Sequence, residues 1–328
     1  MHTASVILVI VLALGFTYTN GFHDSANAVA TSISTRALTP RIALAMAAFA
    51  NFLGAFFGGT VAQTVGSGII EAPAGNRGLA ICAAALVGAI SWNLLTWWRG
   101  LPSSSSHALI GGLGGAALAA GGQVHWNEVI AKVLLPMVLL PVAGLVGGYA
   151  VMRTLVRAFR RSHPADVVRG FRLAQTVSAS AMAFGHGMQD AAKGAGVIVL
   201  ALTVGEAQPV AARSVPWWVL LLCALVLSAG TYAGGWRIMR TLGRRLVDLD
   251  SPRGFAAEAT AAVMLYAATA LRAPVSTTHT IASAIIGVGV SRSRKSIRWD
   301  VVRTIAGAWL LTFPAAGVIA AVVSTILT

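Results

Sequence analysis

The chain has 328 residues, of which 56% are apolar and 10% charged, and it carries a formal net charge of +14. Soluble domains average about 25% charged residues, so the composition excludes a soluble enzyme or a soluble binding module. A mean hydropathy of +0.76 and recurrent apolar stretches of roughly 20 residues, each able to cross a ~30 Å hydrocarbon core, place the chain in a bilayer.

Taken in order, apolar segments run over 4–35, 41–66, 78–98, 102–121 and 128–152, then over 173–204, 214–236, 254–272, 274–290 and 304–327. This pattern predicts an all-α polytopic membrane protein with about ten membrane-crossing segments. The first segment has no Lys or Arg before it and no small-residue cleavage site after it, so it reads as a membrane helix and not as a removable signal. Between the segments sit three basic clusters: Arg153, Arg157, Arg160, Arg161, Arg169 and Arg172; Arg237, Arg240, Arg244, Arg245 and Arg253; Arg292, Arg294, Lys295, Arg298 and Arg303. Basic residues gathered in connections mark cytoplasmic loops and not a nucleic-acid-binding face. With all three inside, Arg36 and Arg41 are also inside, Trp126 and Glu128 are outside, and both termini are outside. Trp97, Trp98, Trp126, Trp217, Trp218 and Trp299 stand at segment ends, as interfacial anchors do. Cys82 and Cys223 lie in separate apolar segments and read as packing residues.

Four stretches interrupt the apolar pattern, at 21–27, 102–107, 185–190 and 274–279, and such breaks at depth need protein or water around them. They come in pairs. Pro102-Ser103-Ser104-Ser105-Ser106-His107 is matched 172 residues later by Pro274-Val275-Ser276-Thr277-Thr278-His279, and Gly115 and Gly287 follow the two histidines at the same distance. Asp24 and Asn27 correspond to Asp190 and Lys193, each pair spaced i to i+3 on one helix face. Two halves of inverted topology, 1–152 and 173–328 joined by a basic cytoplasmic linker at 153–172, are therefore expected, several of their segments broken or re-entrant. In such an architecture the substrate lies near the bilayer midplane between the repeats.

The residue types define what can bind. A proline followed by hydroxyls opens a helix whose free N–H groups face one point together with Ser104, Ser105 and Ser106, or Ser276, Thr277 and Thr278. That is a cradle for a tetrahedral oxyanion, phosphate or sulfate, with Asn27 a further donor and Lys193 a formal positive charge. Asp24 and Asp190 would repel an anion unless a co-bound cation neutralises them. Sodium could be held by Asp24, Asp190 and Asn27, or protons could sit on the acids or on His23 and His186. Glu258 is a third candidate coupling acid, and Gln189, His107 and His279 are candidate proton-handling or supporting residues.

On these residues the chain resembles the PiT family of inorganic phosphate transporters. Gly21-Phe22-His23-Asp24-Ser25-Ala26-Asn27 and Gly187-Met188-Gln189-Asp190-Ala191-Ala192-Lys193 match the family's duplicated motif, and the two Pro-Ser stretches match its other paired feature. The resemblance implies a carrier that imports inorganic phosphate with a cation, sodium in many members and protons in many bacterial ones, without a further cofactor. It also implies that Asp24, Asn27, Asp190, Lys193 and the paired hydroxyls surround substrate and ion, and that a homodimer forms. His23 and Gln189 stand where many members have Asn, which favours protons. The short 153–172 linker lacks the large insertion of eukaryotic members, which favours a bacterial cytoplasmic membrane. Symport of sulfate or of a metal–phosphate complex is the alternative within this fold. A passive anion channel and an intramembrane hydrolase using Ser105 and His279 are the rivals outside it, the latter disfavoured because catalysis has no need to duplicate the whole set.

Overall fold

The computed structural model describes residues 3–205 and 215–328. Among these the fold is helical apart from one two-stranded antiparallel ribbon, Ile70–Glu71 with Gln123–Val124. In chain order the helices are α1 (Thr3–Ser34), α2 (Pro40–Ala55), α3 (Gly59–Ser67), α4 (Asn76–Arg99), α5 (Ser105–Ala119) and α6 (Trp126–Ala158). They continue with α7 (Pro164–Gly205), α8 (Trp217–Ala233), α9 (Trp236–Arg245), α10 (Ser251–Ala270), α11 (Thr277–Arg292) and α12 (Trp299–Leu327). The basic stretch 153–172 is mostly helical, since α6 runs to Ala158 and α7 starts at Pro164.

Helices α1, α4, α6 and α12 are each long and apolar enough to cross a membrane, and the pairs α2–α3 and α8–α9, bent by 70° and 56°, would each make one further span. The apolar segments of the sequence are thus not ten equivalent spanning helices. At 15 and 16 residues, α5 and α11 rise only about 23 Å at ~1.5 Å per residue, short of the hydrocarbon thickness. The breaks expected before them are present: 101–104 and 273–276 are not helical.

The breaks expected at 21–27 and 185–190 are not. Both stretches lie inside unbroken helices, α1 and α7. Their glycines serve packing: a Cβ on Gly21 would sit 2.5 Å from the Leu227 carbonyl oxygen, and one on Gly187 would sit 2.3 Å from that of Asn51. A glycine that lets two backbones touch and a glycine that unwinds a helix look alike in sequence.

The helices before and after the linker interdigitate. α5 packs on α12 and α11 on α6, and the repeated glycines lie at those contacts, a Cβ on Gly115 falling 2.2 Å from Gly317 O and one on Gly287 2.1 Å from Leu145 O. Two apolar cores result. One holds Phe16 of α1 and Ala191 of α7, the other Ala26 of α1 and Ala183 of α7. His23 and Asp24 lie between Phe16 and Ala26 along α1, and His186, Gln189 and Asp190 between Ala183 and Ala191 along α7, so each set falls between the residues its helix gives to the two cores.

Candidate functional site

The site begins with two matched helix starts. Ser104 and Ser276 adopt extended backbone, and each side-chain oxygen accepts a hydrogen bond from the N–H of His107 and His279 respectively, both at 3.2 Å. These two serines are therefore N-caps, and the Pro-x-Ser spelling of both motifs is the sequence signature of that cap. Ser106 is also committed, donating to Val275 O at 2.9 Å.

The next residues meet α1. Asp24 accepts from Ser105 at 2.9 Å through Oδ2, and through Oδ1 from Thr278 at 3.2 Å and from His23 Nδ1 at 2.8 Å. Asn27 donates through Nδ2 to Thr277 and Thr278 at 3.1 and 2.9 Å. On α7, Lys193 Nζ lies 2.5 Å from Asp190 Oδ1 and 3.3 Å from Ser105 Oγ. His186 Nε2 lies 2.9 Å from Asp190 Oδ2, an ion-pair distance, although off hydrogen-bond alignment. All of these side chains are buried. Asp24, Asn27, Asp190, Lys193, Ser105, Thr277 and Thr278, expected together from separate motifs, form one cluster in which the substrate and ion candidates hold one another.

Asp24, His186 and Asp190 offer ligand atoms that all lie within 4.8 Å of one another, so two carboxylates and an imidazole could hold a cation. Two buried carboxylates against the single ammonium of Lys193 leave one uncompensated negative charge when both imidazoles are neutral. The two histidines have different neighbours. Asn51 donates through Nδ2 to Thr231, whose own hydroxyl donates to Leu227 O, so Asn51 Oδ1 is the acceptor facing His186 Nδ1 at 3.1 Å. Asp190 Oδ2 stands beside the other ring nitrogen, Nε2, so the His186 ring lies between the Asn51 amide oxygen and a carboxylate. His23 likewise has the Asp24 carboxylate at Nδ1 and, at Nε2, Thr96 Oγ1 at 3.0 Å, whose own hydroxyl donates to Trp92 O at 2.9 Å.

His23 and Gln189 also act as matched struts. His23 reaches Thr96 and, at 3.4 Å, Ser103, tying α1 to the break before α5. Gln189 donates to Thr269 at 2.9 Å and Ala273 O at 3.3 Å and accepts from Val275 N at 3.2 Å, tying α7 to the break before α11. Ser103 and Val275 follow the two motif prolines at the same position.

Three expected residues lie elsewhere. His107 and His279 face each other, ring centroids 4.8 Å apart, with Trp309 3.9 Å from His279. Glu258 sits in its own buried group, accepting from Thr31, from Gln175 at 3.2 Å and from Ser178 at 2.6 Å. Thr31 is two helical turns beyond Asp24, about 10 Å along α1. Sequence reasoning misses Asn51, Thr96, Thr231, Gln175 and Ser178, because single polar residues in apolar segments carry no spacing signal.

Known proteins share these features. Residues 20–320 match the model of the phosphate transporter family. A protein of Mycobacterium tuberculosis (strain ATCC 25618 / H37Rv), named "Probable low-affinity inorganic phosphate transporter", is 44% identical over 96% of this chain and 76% of its own. One of the same name from Rhizobium meliloti (strain 1021) is 44% identical over 95% of this chain and 93% of its own. A solved structure named "The sodium-dependent phosphate transporter" superposes with a TM-score of 0.90 at 25% identity, covering 99% of both chains. These proteins are named for transport and not for catalysis, and the apolar helices fit a multi-pass membrane protein. The chain belongs to the phosphate transporter family.

Proposed function

We propose that this protein is a secondary active transporter that imports inorganic phosphate by symport with a cation, protons in preference to sodium. The observation that carries the reading is the convergence of Asp24 and Asp190 on two hydroxyl-bearing helix starts beside Lys193. An oxyanion can replace the carboxylates as acceptor for Ser105, Thr278 and Lys193, with Thr277 and Asn27 as adjoining donors, provided positive charge arrives with it to compensate the displaced acids. Coupling follows from that requirement, because neither ligand is favourable alone. His186, which offers a ring nitrogen within 4.8 Å of both carboxylates, supports a proton as the partner.

Sodium is the second reading. It is favoured by the sodium dependence that the structural relative is named for and by the Asp24–His186–Asp190 set, whose carboxylates suit a hard cation. The helix order supports an internal repeat: a long helix, a bent pair, then three helices, occurring once from α1 to α6 and again from α7 to α12. We assign 1–152 and 173–328 to its halves, with the substrate near the midplane between them, the basic loops and linker in the cytoplasm, both termini outside, and the protein in a bacterial cytoplasmic membrane.

Uptake of radiolabelled phosphate into proteoliposomes under a proton gradient, a sodium gradient or neither tests this. Accumulation driven by one gradient names the coupling ion. Equilibration without a gradient overturns symport in favour of a channel, and displacement by sulfate, or a requirement for a divalent metal, moves the substrate.

A further inference from the structure

At the cytoplasmic end of α1 the arginines of α9 are not equally engaged. Arg237 lies over the Trp97 ring at 5.6 Å and donates to Trp98 O. Nearby, Arg253 pairs with Asp250 at 2.8 Å and Arg298 with Asp248 at 3.9 Å. Arg240 and Arg244, one turn apart, have no hydrogen bond or carboxylate partner among the described residues, and both line a cavity of about 210 Å³. The rest of that cavity includes Ile33 and Ser34 of α1, Pro40 of α2 and Trp236 of α9.

Capping of α1 does not account for the two guanidinium groups. The carbonyls of Thr31, Ser32 and Ile33 are taken by the N–H groups of Thr35, Ala37, Leu38 and Arg36, in a turn that Arg36 closes at φ +58°. Exposed Arg36 and Arg41 add charge of the same sign, and no acid lies between 30 and 41 or between 236 and 247. The cavity therefore combines two free forked donors with an apolar wall that includes a half-exposed tryptophan. That is the lining a headgroup needs: guanidinium groups for a phosphate oxyanion, and apolar surface for the carbons attached to it.

We propose that this cavity binds a phosphate-bearing anion, and that an anionic phospholipid headgroup is the source its apolar wall favours. Bound there, it would brace α9 against the end of α1, two turns from Asn27. Such binding requires only that this end of the bundle meets the membrane surface, whatever the identity of the transported ion.

The test is thermal unfolding of the purified, delipidated protein in detergent, titrated with phosphatidylglycerol, phosphatidylcholine or inorganic phosphate. Three variants accompany the wild type: Arg240→Gln/Arg244→Gln, Arg240→Lys/Arg244→Lys, and the control Arg160→Gln/Arg161→Gln in the exposed linker. The expected result is stabilisation by phosphatidylglycerol beyond that by phosphatidylcholine. Its half-saturating concentration should rise about tenfold or more in the Gln pair, largely recover in the Lys pair and stay unchanged in the control. A response to inorganic phosphate that is lost only in the Gln pair would also support the site and name the soluble ion as its source. An equal phosphatidylglycerol response in the wild type and the Gln pair, or an equal loss in the linker control, overturns the proposal. Transport is not read, so failure here is distinguishable from failure of the symport assignment.

Discussion

Asp24 accepts hydrogen bonds from Ser105 at the start of α5 and from Thr278 at the start of α11, so one buried carboxylate joins the two motif helices that stand 172 residues apart. It occupies the donors that an oxyanion needs. Asp24→Asn and Asp190→Asn are expected to reduce gradient-driven phosphate accumulation to background while leaving a monodisperse, folded protein in detergent, because the amide is nearly isosteric but brings no charge for a cation to neutralise. Near-wild-type accumulation by both variants would remove the cation-coupling role from these acids.

The hydroxyls themselves should govern affinity. Ser105→Ala and Thr277→Ala each delete one donor, worth about 1 kcal/mol, and should raise the half-saturating phosphate concentration about fivefold. Ser104→Ala and Ser276→Ala act differently, because those oxygens cap helices. They should lower the thermal midpoint more than they change affinity. Uptake at graded phosphate concentrations, run beside unfolding curves, separates the two classes; four variants with one common profile would sink the distinction.

The positions of the two histidines lead to opposite expectations: His186, and not His23, belongs to the set whose ligand atoms lie within 4.8 Å of both Asp24 and Asp190. His186→Gln keeps a donor to Asn51 but removes the group able to carry a proton, and should abolish the stimulation of uptake by an inward proton gradient while phosphate exchange between the two sides of the membrane persists. His23→Gln, at a ring that ties α1 to the break before α5 and stands outside that set, should keep the stimulation. Counterflow and gradient-driven uptake on the same proteoliposomes give both readings, and loss of gradient stimulation in His23→Gln alone would reverse the assignment.

What sequence reveals of the site follows from spacing. The two Pro-Ser stretches repeat at a fixed shift, so their caps and the cradle are legible, and Asp24 with Asn27 and Asp190 with Lys193 declare themselves as i, i+3 pairs. His186 can be named but not understood, because Asn51 lies 135 positions away in the chain and nothing local marks it. Burial chemistry alone groups Glu258 with the coupling acids, and its partners Thr31, Gln175 and Ser178 show that an apolar helix can satisfy an acid well away from the site. The expected breaks at 21–27 and 185–190 fail for a similar reason: at Gly21 and Gly187 the sequence states that a side chain is absent, not whether a neighbouring backbone fills the space.

His23 and Gln189 should behave as positioning residues. His23→Asn and Gln189→Asn are too short to span to Thr96 and Ser103, or to Thr269 and Val275. Each should raise the half-saturating phosphate concentration several-fold with little change in maximal rate, since a loosened break misplaces the helix start and leaves its donors intact. At roughly 1 kcal/mol per lost hydrogen bond, a fall in thermal midpoint of a few degrees should accompany it. A variant that lost maximal rate with unchanged half-saturation would place the residue in the coupling step instead.

Adjacent glycines on α5 offer a sharper test of how the bundle closes. Alanine is the better helix former by about 1 kcal/mol, so Gly→Ala should stabilise wherever the added methyl has room. At Gly114 a Cβ meets nothing within 4 Å, and Gly114→Ala should hold or raise the thermal midpoint. At Gly115 the Cβ would fall 2.2 Å from Gly317 O, and at Gly287, its counterpart on α11, 2.1 Å from Leu145 O. Both oxygens belong to backbone that cannot step aside without shifting α12 or α6, so overpacking of about 1–3 kcal/mol should outweigh the propensity gain. Gly115→Ala and Gly287→Ala should therefore unfold several degrees lower than Gly114→Ala. Because α5 and α11 also carry Ser105 and Thr277, the two should bind phosphate more weakly as well. Equal midpoints for all three variants would mean that these helices are not held at the distance the structure assigns, and the cradle geometry would lose its support with them.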